Sequence, residues 1–77
     1  MNNDRRKRIE KVQETLAELL AEIEALRDEE QEALENLPES LQETERGERM
    51  QTAADALDDA YTNLDSVNDS LTEALEA

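Results

Sequence analysis

The sequence predicts an all-α fold: an antiparallel two-helix coiled-coil hairpin that dimerises into a four-helix bundle. Three observations carry this. Apolar residues recur at heptad spacing over two separate stretches of similar length. The only proline, Pro38, and the only glycine, Gly47, lie between those stretches. Good helix formers, namely Ala, Leu, Glu, Gln, Arg and Lys, fill most of the first of them.

Take Ile9 as heptad position a. The a series is then Ile9, Leu16, Ile23, Glu30 and Leu37, and the d series Val12, Leu19, Leu26 and Ala33. Only Glu30 is not apolar. This pattern places a first helix at about residues 4–36. Pro38 disfavours helix at Leu37 and removes a donor, so the helix should stop near Asn36. A connection at about 37–44 follows, in which Pro38 and Glu39 could open a short helical turn. Ser40 with Glu43 matches a capping box, and Thr44 is a second candidate N-cap. Gly47 falls early in the next helix, where glycine costs less than in mid-helix.

The second helix is expected at about residues 45–76. Its a series is Met50, Leu57, Leu64 and Leu71, and its d series Ala53, Ala60, Val67 and Ala74, all apolar. Asp, Thr, Asn and Ser crowd the outer positions, so packing has to make up for weak propensity. Folding the chain back brings a positions against d positions in one register, with facing residue numbers adding to 83: Leu16 with Val67, Leu19 with Leu64, Leu26 with Leu57. Large residues often face small ones, which favours interdigitation. A hydrophobic fraction of 36% beside a charged fraction of 39% would by itself fit disorder; the agreement of two independent seams argues against it.

The e positions add a second apolar edge. Leu20 and Leu34 on the first helix and Ala54 and Tyr61 on the second should share one side, a face for self-association or for docking another helix; the plainer reading is a few singly exposed apolar residues. Glu30 has two readings. It reaches solvent, Arg27 or Arg49, or it fixes register or oligomeric state at a cost in stability.

Composition excludes much chemistry. The 77 residues contain no Cys and no His, so zinc, haem, iron–sulfur and disulfide frameworks are out, and one glycine cannot build a phosphate loop. Neighbouring carboxylates such as Asp58 and Asp59 do not face each other on a helix, and a narrow hairpin offers no cleft, so no enzyme, cofactor or metal site is expected. The stretch from Asp65 to Glu76 faintly echoes a calcium loop, but Val67 and Ser70 stand where a ligand and a glycine are needed. No apolar run is long enough for a membrane span, and the basic start lacks the apolar segment of a signal peptide.

Net charge is −14, unevenly spread. Five basic residues against two acidic ones make residues 1–11 +3, and three against twenty make residues 12–77 −17. No basic residue follows Arg49. Direct nucleic-acid binding by the acidic body is therefore not expected. Asp55, Asp58, Asp59, Asp65, Asp69 and Glu73 avoid the seam, and carboxylates three to seven residues apart on a helix are separated by roughly 5–11 Å along its axis. Phosphates along a DNA strand are comparably spaced. The expected partner is a basic protein surface, such as the nucleic-acid channel of an enzyme, approached under electrostatic attraction. The plainer reading is a solvated face that keeps the protein soluble.

The central Asn36-Leu37-Pro38-Glu39-Ser40-Leu41-Gln42, the following Thr44-Glu45-Arg46-Gly47-Glu48, the basic Arg5-Arg6-Lys7-Arg8 start and the Leu57, Leu64, Leu71 repeat resemble small acidic two-helix proteins of bacteriophages and prophages. That resemblance spans nearly the whole chain and implies a phage context, the cytoplasm of a bacterial host, and inhibitors of host defence nucleases, anti-CRISPR proteins among them, as the class to consider. It carries over no functional residue.

Overall fold

A computed structural model describes all 77 residues, Met1–Ala77. The chain is all-helical: α1 Asn3–Glu35, a single turn α2 Glu39–Gln42, and α3 Glu45–Glu76. It measures 58 × 16 × 13 Å with a radius of gyration of 17.4 Å. A compact chain of this length would have a radius of roughly 11–12 Å, so the molecule is a rod.

Helix α1 starts one residue earlier than expected because Asn2 caps it. The Asn2 Oδ1 accepts from the Arg5 N–H at 2.9 Å. Its last turn tightens: the Asn36 N–H reaches Glu32 O and the Leu37 N–H reaches Leu34 O at 3.1 Å. Pro38 then supplies the carbonyl for the α2 turn, accepting from Leu41 and Gln42. The Gln42 side chain donates to Leu37 O at 2.9 Å, meeting an acceptor that the break leaves open. No residue has positive φ, so the reversal needs no left-handed position.

Two connection details differ from expectation. Ser40 lies inside α2 and makes no capping box with Glu43; the N-cap of α2 is Pro38. Thr44 holds the N-cap position of α3, but its hydroxyl donates to Leu41 O instead of accepting from the helix. Gly47 is buried, and a Cβ there would fall on the Gln42 carbonyl and within 2.7 Å of the Gln42 Cα. This glycine is required by the close approach of α2 to α3, a stronger reason than its position near a helix start.

Three bonds fix how α1 meets α3. Arg6 donates to Leu75 O at 2.6 Å, Gln13 to Thr72 Oγ1 at 2.9 Å, and Arg27 to Asp58 Oδ1 at 2.9 Å. The first pair of residue numbers adds to 81 and the other two to 85, bracketing the expected 83. The axial register is therefore close to the one read from the heptads.

The rotation of each helix about its own axis differs. On α1 the shielded residues include Ile9, Gln13, Leu16, Leu20, Ile23, Arg27, Glu30 and Leu34, the a and e positions. On α3 they include Met50, Ala54, Leu57, Tyr61, Leu64, Asn68, Leu71 and Leu75, again a and e, with Ala53 and Ala74 of the d row half-buried beside them. The d residues Val12, Leu19, Leu26 and Val67 are 44–49% exposed, and Ala33 and Ala60 are exposed as well. Relative to an a/d seam each helix has turned by roughly 50°, half the 100° between successive residues. Leu34 at 7% and Ala54 at 3% are among the most buried side chains, so the edge expected to be open is the interior of the helix pair. The cause is visible in the e row: Leu20, Leu34, Ala54 and Tyr61 together with the bridging Gln13 and Arg27 make a better-filled seam than the d row, half of which is alanine.

The polar residues of α3 are accommodated locally. Hydroxyls of Thr62, Ser66, Ser70 and Thr72 donate to carbonyls one turn back, at 3.1–3.2 Å.

Candidate functional site

Two surfaces stand out, one charged and one apolar, and Arg27 bridges the helices at the middle of the rod. Asp55, Asp59, Asp65, Asp69 and Glu73 on α3 are exposed and take part in no ion pair, and Glu76 extends the row. Asp55 accepts one bond, from Gln51 at 2.9 Å. Helical geometry spaces Asp65, Asp69 and Glu73 about 6 Å apart along the axis and keeps them on one face.

Asp58, placed with them by sequence, is engaged otherwise. It receives Arg27 across the helix pair, and the Arg27 guanidinium carbon also lies 5.6 Å from the Tyr61 ring centroid. Asp28 adds a bond at 3.3 Å. The hydrogen bond that Arg27 donates to Asp58 raises the affinity of Arg27 for its proton above that of an ordinary arginine; desolvation opposes this and Asp28 reinforces it. Asp58 is thus held by Arg27, and Arg27 and Tyr61 are structural partners. The signal in the sequence was that Arg27 is the sole basic residue between Lys11 and Arg46.

The apolar surface is not the one expected. Leu34 and Ala54 are buried and Leu20 and Tyr61 half-buried in the seam. The open apolar residues are Val12, Leu19 and Leu26 of α1 and Val67 of α3, with Met1 and Leu41 near the two ends of the rod, 50% and 42% exposed. Because early α1 meets late α3, both d rows come up on the same broad face. At one end of this face a groove of about 570 Å³ is floored by Met1, Ile9 and Val12 and rimmed by Arg5, Arg8 and Lys11.

No family model, curated protein or solved structure matches the chain. Its chemistry must be read from its own surfaces. No helix is long and apolar enough to cross a membrane. What the arrangement offers is a rod with a fixed line of carboxylates along one helix and an uncovered apolar face.

Proposed function

We propose that the chain is a non-enzymatic binding protein: an antiparallel two-helix coiled-coil hairpin whose α3 carboxylates occupy a basic, nucleic-acid-binding channel of another protein. The observation behind this reading is the exposed, unpaired row Asp55, Asp59, Asp65, Asp69 and Glu73 on a helix with no basic residue beyond Arg49. A helix presents its charges at fixed spacing, so little ordering is lost when a complementary basic channel closes on them. The −17 body supplies long-range steering toward such a channel. A phage-type inhibitor of a host nuclease, an anti-CRISPR protein for instance, is the biological role that suits this chemistry.

A panel of guide-loaded CRISPR nucleases, with binding measured alone and in competition with DNA, tests the proposal. Expected are competition with DNA, weakening as salt rises from about 0.05 to 0.5 M, and loss of binding in Asp59→Lys/Asp65→Lys/Asp69→Lys with helicity retained. Binding indifferent to salt and to the triple reversal, or no binding across the panel, overturns it.

The second reading, a structural or assembly hairpin acting through self-association or helix docking, is favoured by the open Val12, Leu19, Leu26 and Val67 row.

A further inference from the structure

We infer that the face carrying the two d rows is a homodimer interface, and that the second copy lies on it with its long axis reversed, giving a four-helix bundle with the twofold axis across the rod. This inference is independent of any nucleic-acid-channel partner, because the contact it proposes lies on the d face and not on the outward carboxylates or the e positions of α3.

The pattern of apolar residues points first to burial in a bundle. Helices of the isolated pair shield two heptad rows, a and e, and half-bury Ala53 and Ala74 at the two ends of the α3 d row. Both helices nevertheless carry a third apolar row, d, with no polar residue at any of its eight positions. Three apolar rows per heptad are what bundle helices use, two toward one neighbour and one toward the shared core. The face is also large enough. Its outline of 58 × 16 Å sets an upper bound of roughly 900 Å² per copy and roughly 1,800 Å² for a pair, so coverage along most of the rod falls inside the range of specific interfaces.

The reversed orientation follows from charge. One end of the rod joins residues 1–11, at +3, to residues 69–77, where Asp69, Glu73 and Glu76 bring the side chains to balance. The other end, residues 28–49, carries nine carboxylates against Arg46 and Arg49, a net −7. Two copies side by side in the same direction would place −7 against −7. Reversal places each −7 end beside Arg5, Arg6, Lys7, Arg8 and Lys11 of the second copy, the arrangement that minimises like-charge contact.

The geometry of the rows permits it. The α1 row is centred between Leu19 and Leu26, and the α3 row between Ala60 and Val67. The Gln13–Thr72 and Arg27–Asp58 bonds set these two centres level to within about one residue, or ~1.5 Å. One twofold axis can therefore pass through both. It pairs Leu19 with Leu26 and Val12 with Ala33 between the two α1 helices, and Ala60 with Val67 between the two α3 helices. The same operation carries Leu41 to the level of the opposite Met1–Arg5 segment, so that this exposed leucine is the occupant of the groove floored by Met1, Ile9 and Val12.

Sedimentation equilibrium over a wide concentration range, with spin-label distances, tests this. The native chain has no cysteine, so Glu39→Cys labels a single site. A dimer is expected whose two labels lie about 50 Å apart, close to the full length of the rod. Association should tighten as salt rises, because both copies carry −14, whereas binding to a basic channel weakens; the two proposals therefore fail separately. Leu19→Glu and Leu26→Glu should give folded monomers, and Leu41→Glu a weakened dimer. A monomer at every concentration, a label distance under about 30 Å, or a dimer untouched by Leu19→Glu and Leu26→Glu each overturns the proposal.

Discussion

Arg27 of α1 donates to Asp58 of α3 at 2.9 Å, the only ion pair that joins the two long helices. Its side chain is 28% exposed, more enclosed than that of any other charged residue in the ion pairs. The pair sets register at the middle of the rod, where Ile23, Leu57 and most other seam residues are apolar and tolerate sliding. Arg27→Ala should lower the melting temperature by a few degrees, and Arg27→Lys should recover only part of it, since lysine keeps the charge but loses the planar fork and the ring contact with Tyr61. Circular dichroism melts decide this. Equal stability of the Lys variant and the native chain would assign the role to charge alone.

Gly47 offers a prediction of unusual sign. Glycine to alanine inside a helix ordinarily stabilises by about 1 kcal/mol. Here the added Cβ meets the Gln42 backbone, which cannot swing away as a side-chain end could. Gly47→Ala should instead destabilise, by about 1–3 kcal/mol as for overpacked sites. Urea denaturation midpoints give the sign directly, and a stabilised variant would mean that α2 is not held against α3.

Glu30 occupies an a position, half-buried, with no ion pair or side-chain hydrogen bond to either Arg27 or Arg49. Shielding a carboxylate without a partner costs free energy, and an apolar side chain would extend the seam. Glu30→Leu should raise the melting temperature by about 4–8 °C, corresponding to ~1 kcal/mol for a chain of this size. A drop in stability would instead mark Glu30 as a residue that selects register or oligomeric state.

The helices and their axial offset were legible in the sequence. Heptad spacing, the Pro38 break and good helix formers fix where α1 ends and how far along α3 it reaches. The rotation about the helix axis was not legible. A hydrophobic pattern with apolar residues at a, d and e is compatible with either flank facing the partner helix, and the choice depends on side-chain fit. Gln13 and Arg27 are polar residues at e, yet their long chains cross the seam to Thr72 and Asp58. Gly47 is at the same heptad position, and its burial against Gln42 depends on a tertiary approach that no local rule encodes. For the acidic surface, sequence located the carboxylates of α3 but could not separate Asp58, bound to Arg27, from its unpaired neighbours.

The seam runs through the a and e rows and leaves the large d residues Val12, Leu19, Leu26 and Val67 open. Its most direct test compares Leu34→Ala with Leu26→Ala in thermal melts at protein concentrations low enough for self-association to vanish. Leu34 is 7% exposed and Leu26 44%. Leu34→Ala should cost at least ~2 kcal/mol, a fall of about 8–16 °C, and Leu26→Ala less than half of that. The reverse order, with Leu26→Ala the more damaging change, would contradict the rotated seam and return the d row to the interior of the helix pair.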